Sequence, residues 1–272
     1  MINRLIPWEW AFKNCGKGVV FKIIANSLTS EDVEGFETLL RPSMLPFTPT
    51  TIDLHQGNEI LYDSLSDPWN FLKENLFLGK AIIVNARRLA TDHVPDYFRI
   101  NISAKADKDL YRASISYHVD DSPSFRLIRN SLVNLFPAKN IVQAFFYAQD
   151  YFNLIHKRHY AHYKYKKGLE TFVNDHNEKM VDITKRPGVS TQLKGGLFFR
   201  GAAEYWFGSD FFTIIPKEHI MAFPYAINIE EIKPGLVWVQ LFESVFAGLS
   251  HDEVWVHQEF RKHLQVDELK LF

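Results

Sequence analysis

The chain has 272 residues, of which 46% are hydrophobic, and this is enough for one large domain or for two of ordinary size. Its 31 basic and 32 acidic residues nearly cancel, which disfavours a general nucleic-acid binder, because that class usually carries a basic excess. The single Cys15 excludes an intramolecular disulfide and a cysteine-based metal site, and with no secretory signal and no apolar run of roughly 20 residues we expect a soluble, cytoplasmic protein that does not enter a membrane.

The first part of the chain predicts strands alternating with helices. Residues 19–25 are rich in β-branched side chains and predict a buried strand. Acidic residues after Ser30 favour the start of a helix, and a second helix is expected from Pro68, since proline is accepted in the first helical turn. Residues 81–89 are again apolar and predict another strand.

The middle of the chain predicts a hairpin followed by two helices. Residues 98–105 and 110–119 alternate apolar and polar side chains around a polar turn, the pattern of an antiparallel hairpin. Its apolar face should set one group of residues against another: Phe98, Ile100 and Ile102 against Ala113, Ile115 and Tyr117. A helix is expected after Ser122. A longer helix is expected over 141–155, where apolar residues recur at helical spacing.

The last part of the chain is expected to be rich in strands. Residues 174–196 are polar and interrupted by glycine and proline, so they predict a loop or the join between two lobes. Residues 196–208, 235–242 and 253–260 are aromatic and β-branched, which favours strands.

Together these elements predict an α+β fold, with mainly antiparallel sheet regions packed with several helices. We divide the chain into an α+β lobe over 1–174, with the central hairpin and the long helix, and a strand-rich lobe over 175–272. The second lobe could also continue the first as a single domain.

Three histidines recur at every third position near the end of the predicted long helix: His156, His159 and His162. Neighbours at this spacing can share a helix face, so they are candidate metal ligands. A complete site would need a further donor, for which Asp175, His176, Glu178, His251 and His257 are the candidates. The alternative is a positive helix end that interacts with the last carbonyl groups and binds no metal.

The same segment interleaves cations with aromatic rings. Lysines and one arginine alternate with tyrosines over 156–167, without an acidic residue: Lys157, Arg158, Lys164, Lys166 and Lys167 with Tyr160, Tyr163 and Tyr165. Cations combined with stacking rings are typical of a single-stranded nucleic-acid groove. A solvated basic face is the alternative.

Acidic residues concentrate elsewhere in the chain. Between residues 28 and 75 there are nine acidic and two basic residues, and between residues 217 and 272 there are nine and five. Such segregation can steer a charged partner. The candidate binding residues are four acids and two aromatics: Glu31, Asp32, Glu34, Glu37, Trp206 and Phe211. For the aromatics, burial in the core is the alternative.

The favoured hypothesis is a non-enzymatic, cofactor-free protein-binding partner, in its sharpest form a bacterial immunity-type protein that neutralises a toxin. Common nucleotide-binding, metalloprotease and nucleophile motifs are absent, so the sequence leans away from an enzyme. Two alternatives stay open. One is a hydrolase or transferase with a scattered, metal-assisted site near 156–162, and the other is nucleic-acid binding through 156–167. The sequence leaves the oligomeric state open.

Overall fold

The computed structural model describes residues 18–26, 51–53, 59–61, 82–87, 97–106, 110–118, 141–148, 155–163, 166–184, 186, 188–243, 245 and 251–271. Ten strands in this part of the chain form one sheet in which every neighbouring pair is antiparallel. In spatial order the strands are β13 (Asn228–Lys233), β14 (Leu236–Gln240), β12 (Glu204–Gly208), β7 (Ile141–Ala148), β1 (Gly18–Ala25), β6 (Leu110–His118), β5 (Tyr97–Ala106), β4 (Ile82–Arg87), β2 (Thr51–Asp53) and β3 (Glu59–Leu61).

Smaller elements complete the described part of the chain. Two separate two-stranded sheets pair β8 (Thr171–Val173) with β9 (Lys179–Val181) and β10 (Thr191–Gln192) with β11 (Phe198–Phe199). The described α-helices are α1 (Lys217–Met221), α2 (His251–His263) and α3 (Val266–Leu269), and the 3-10 turns are Tyr160–His162, Lys194–Gly196 and Phe211–Thr213.

The predicted α+β class is wrong, because the described part of the chain is mainly antiparallel sheet. Among the described α-helices, only α2, with 13 residues, is longer than five residues. The helices expected after Ser30, Pro68 and Ser122 lie outside the described residues.

The largest single error is the long helix predicted over 141–155. Its first eight residues form β7, which lies between β1 and β12 and is buried at every position. In a strand that is buried on both faces, apolar residues follow one another without interruption. They therefore also fall at helical spacing, and this spacing does not distinguish such a strand from a helix. The opposite error occurs at 253–260, which lies within α2, where His257 and Phe260 are buried, followed by Leu264 just after the helix, at helical spacing.

Other strand predictions are confirmed. The strands expected over 19–25, 81–89 and 235–242 correspond to β1, β4 and β14, and the segment 196–208 holds β11 and β12. The hairpin of β5 and β6 is confirmed, and its register pairs Phe98 with Tyr117, Ile100 with Ile115 and Ile102 with Ala113, the two groups expected on one face. Because β7, before residue 174, pairs with β12, after it, the main sheet is continuous across the proposed lobe boundary.

The core that positions the later features lies where β12 packs against α2. Tyr205 and Phe207 lie on one face of β12, with ring centroids 5.7 Å apart, and the ring of Phe260 from α2 lies 5.1 Å from that of Tyr205. On the other face, Trp206 contacts Phe21 edge to face at 5.4 Å. Both faces of β12 are therefore filled with aromatic rings, which contribute much of the buried apolar area.

We expect the substitution Phe260→Ala to lower the free energy of unfolding by about 3–5 kcal/mol, because it leaves a cavity among rings that cannot all close in. Chemical denaturation monitored by circular dichroism measures this change. Phe172→Ala is the matched control, since Phe172 is 47% exposed and its loss should cost about 0.5 kcal/mol or less. Equal losses in the two variants would contradict the assignment of Phe260 to the core.

Candidate protein-binding surface

An exposed apolar surface lies between α1 and α2. Six large hydrophobic residues are exposed in the described part of the chain, and three of them fall within 221–227: Met221 at 40%, Tyr225 at 47% and Ile227 at 53%. The half-buried Trp255 of α2 contacts one of them, because its ring lies 4.6 Å from that of Tyr225, edge to face. We call these four residues the apolar patch. Exposed apolar residues grouped in this way mark interaction surfaces.

The segment that carries the patch is packed against the core. Phe223 is buried and its ring lies 4.8 Å from that of Phe260, so this residue fixes the turn to the core. Two positions further along, Tyr225 points out to solvent. The backbone N–H of Ile227 donates to the carbonyl of Gln240 at 2.8 Å, which ties the segment to the end of β14. The patch therefore stands on an ordered support.

Two histidines join α1 to the end of α2. The rings of His219 and His263 stack with centroids 4.4 Å apart and planes 7° apart. The Nε2 of His219 donates to the carbonyl of His263 at 2.5 Å, and the Nε2 of His263 donates to the carbonyl of His219 at 2.7 Å. Because a carbonyl oxygen only accepts, both Nε2 atoms carry a proton. We call this arrangement the histidine clasp. It satisfies a carbonyl group that the end of α2 leaves without a helical partner.

The surroundings of the patch carry unbalanced negative charge. Two basic residues of α1 and α2 are paired with acids, since Lys217 lies 2.5 Å from Glu231 and Lys262 lies 4.0 Å from Glu259. The hydrogen bond from Lys217 holds the pKa of the Glu231 carboxyl below its usual range. Glu218 and Glu230 are exposed, and within the described part of the chain neither has an ion-pair partner.

The predicted aromatic binding residues are placed in the interior. Trp206 is 2% exposed and Phe211 is 1% exposed, and the ring of Phe211 packs 4.6 Å from that of Phe207. Their position agrees with the alternative that aromatic residues form the core. The four predicted acidic binding residues lie outside the described part of the chain: Glu31, Asp32, Glu34 and Glu37.

The three histidines proposed as metal ligands do not share the face of an α-helix. Ile155 is the last α-helical residue before them, and they lie in the turns that follow it. The Nε2 of His156 accepts the backbone N–H of Ser190 at 2.8 Å, while His159 and His162 are exposed with rings 5.3 Å apart. Within the described residues no three histidine, cysteine or acidic side chains come together in a way that could hold a metal ion.

The other candidate ligands serve local structure. Asn174 accepts the backbone N–H groups of His176 and Glu178 and donates to the Glu178 carboxylate at 2.9 Å, so these residues close the turn between β8 and β9. His257 is buried, and its Nε2 donates to the carbonyl of Ala202 at 2.8 Å. His251 lies in α2, but its side chain is outside the described part.

The sequence alone does not predict the apolar patch. Residues 221–227 show neither helical nor alternating spacing, and the aromatic and β-branched residues around Trp255 favour a strand. The available clue was an aromatic residue directly after Pro224, where no regular element could bury it.

No protein-family model matches the chain, and a search of curated proteins finds no match either. Among the described helices, none combines the length and the apolar character needed to span a bilayer.

His257 should make stability depend on pH. Burial lowers the pKa of its imidazole from 6.5 to about 4, so the folded protein holds His257 neutral while the unfolded chain takes up a proton below pH 6.5. Stability that is complete above pH 6.5 is therefore lost as the pH falls through 6.5 towards 4, by up to about 3 kcal/mol. Urea unfolding across this window should show a smaller loss for His257→Gln than for the parent protein. Parallel pH dependences in the two proteins would exclude this role.

Proposed function

We propose that the protein is a non-enzymatic protein-binding partner of the cytoplasm, of the kind represented by bacterial immunity proteins that neutralise a toxin. The observation that carries this proposal is the apolar patch, in which the exposed Tyr225 contacts the half-buried Trp255 and the exposed Met221 and Ile227 lie within four residues of Tyr225 along the chain. Tyrosine and tryptophan are the residues that most often dominate the energy of a protein interface.

The support beneath the patch favours tight binding. Phe223 is packed into the core and the histidine clasp fixes α1 against the end of α2, so the patch is held before a partner arrives. A surface that is already ordered loses less conformational entropy on binding. This is the property expected of a protein that must capture a harmful partner quickly and hold it.

The charge around the patch favours a basic partner. The segment 217–272 has nine acidic and five basic residues, and Glu218 and Glu230 stand exposed near the patch. A cationic surface would be attracted to this rim before apolar contacts form. The acidic residues predicted at Glu31, Asp32, Glu34 and Glu37 would act in the same sense, and their participation stays a prediction.

The metal-assisted enzyme alternative finds less support among the described residues. His156 is committed to Ser190, and no three-donor group forms there. By contrast, the patch needs no chemistry beyond apolar contact and complementary charge, so protein binding is the function that we put forward.

A photocrosslinking residue at position 255 would capture the partner in producing cells, and the purified pair would then be studied by calorimetry. We expect Tyr225→Ala to weaken binding at least tenfold, because truncating a central aromatic anchor costs about 2 kcal/mol. Phe172→Ala is the matched control, since Phe172 and Tyr225 are both 47% exposed. If the protein is an immunity protein, the partner should be toxic to cells that produce it alone. The Phe172→Ala variant should protect these cells, and the Tyr225→Ala variant should not. Unchanged affinity in Tyr225→Ala would refute the proposed surface.

The association rate should fall as salt is added, because mobile ions screen the attraction between the acidic rim and a basic partner. Stopped-flow measurements over a salt series would quantify the fall. Glu218→Gln with Glu230→Gln should slow association at low salt and flatten the salt dependence, while the dissociation rate changes little. An association rate that is independent of salt would contradict the basic nature of the partner.

A further inference from the structure

A second surface gathers basic side chains around Tyr160. The Nζ of Lys166 lies 4.8 Å from the centroid of the Tyr160 ring, and the Nζ of Lys179 lies 4.2 Å from the same centroid. An aromatic ring attracts cations to its faces, so Tyr160 holds two like charges near each other that would otherwise move apart. With Arg158 and Lys167, which are both exposed, these residues make up what we call the basic surface.

The basic surface is assembled from segments that the backbone joins. Tyr160 lies on the 3-10 turn, and β9 carries Lys179. The N–H of Val181 donates to the carbonyl of Arg158 at 2.6 Å, and an isolated bridge pairs His159 with Met180. The turn and β9 are therefore held side by side.

A small core lies beneath this junction. It consists of Tyr163, Val181, Ile183 and Val189. The guanidinium of Arg186 is buried beside it and donates to the Tyr163 hydroxyl at 2.7 Å and to the carbonyl of Ile155 at 3.1 Å. The lysines thus extend from an ordered base, which lowers the entropic cost of fixing them around a ligand.

The charge of the basic surface is not neutralised. Arg158, Lys166, Lys167 and Lys179 are exposed, and in the described part of the chain none of them has a carboxylate partner within ion-pair distance. Two acids of the neighbouring segments make local hydrogen bonds: the Glu178 carboxylate accepts from Asn174, and the Asp182 carboxylate accepts from Thr184.

We propose that the basic surface binds a phosphate-bearing polyanion, either the backbone of a single-stranded nucleic acid or inorganic polyphosphate. Both present closely and regularly spaced phosphates, and lysines bind phosphate as point charges. The Tyr160 ring is engaged by two ammonium groups, so the contact is with phosphates and does not depend on bases stacking on that ring. The interaction is consequently independent of base sequence.

The test measures the fluorescence anisotropy of a labelled oligothymidylate over a series of salt concentrations, with unlabelled polyphosphate and polyglutamate as competitors. The double substitution Lys166→Gln with Lys179→Gln should lower the affinity at low salt. It should also reduce the slope of the logarithm of the association constant against the logarithm of the salt concentration by about 0.7 for each lysine removed. The matched control, Lys217→Gln with Lys262→Gln, removes two lysines that already lie beside acids, and its slope should match that of the parent protein.

Substitutions at Tyr160 test whether the ring orders the lysines around it, since they leave the charge of the basic surface unchanged. Tyr160→Leu keeps every cation but removes the ring, so affinity should fall several-fold, whereas Tyr160→Phe should bind as the parent protein does.

The outcomes distinguish the sources of phosphate. Direct binding of the oligonucleotide supports nucleic acid, and binding seen only with labelled polyphosphate supports the inorganic polymer. Absence of both at low salt, equal effects of the two lysine pairs, or equal competition by polyglutamate would overturn the proposal. Tyr225→Ala should leave polyanion binding unchanged, so this result and the test of the apolar patch can fail separately.

Discussion

The burial of β7 and β12 on both faces is the constraint on which the main core, α2 and the apolar patch depend. All eight residues of β7 are buried, and β12 directs Tyr205 and Phe207 to one face and Trp206 to the other. At Gly208 the two strands approach so closely that a Cβ atom would lie 1.7 Å from the carbonyl oxygen of Ile141. Strands this apolar need cover on both sides, since exposing them would forfeit about 25 cal/mol for each Å² of apolar surface.

The position of α2 follows from that need. Phe260 covers the rings of β12, and His257 reaches the carbonyl of Ala202 just before the strand begins. With α2 in this position, Trp255, which precedes Phe260 by five residues, is partly exposed and its ring contacts that of Tyr225. Core packing therefore determines where the apolar patch lies, while its outer side is exposed to solvent.

The sequence predicted the hairpin because its two faces differ, and it predicted β1 and β12, which are buried on both faces, from their β-branched and aromatic residues. The hairpin of β5 and β6 alternates apolar and polar residues, so the residues of its apolar face could be predicted, because a shift by one residue would exchange the two faces. Residues 141–148 are apolar on both faces, so no period distinguishes a strand from a helix there. At 253–260 the aromatic and β-branched residues favoured a strand, but tertiary packing of Phe260 selected the helix. The patch could not be predicted, since it depends on contacts between residues 30 positions apart, Tyr225 and Trp255.

The histidine clasp has a consequence for how the protein opens. Helix ends usually fray first, with a free energy far below that of global unfolding. Here the last residue of α2 is bonded in both directions to α1, so the helix end cannot open without releasing the segment that leads into Tyr225. The end of α2 and the loop after α1 therefore form one cooperative unit, whose backbone amides should exchange with solvent deuterium together and at a common rate.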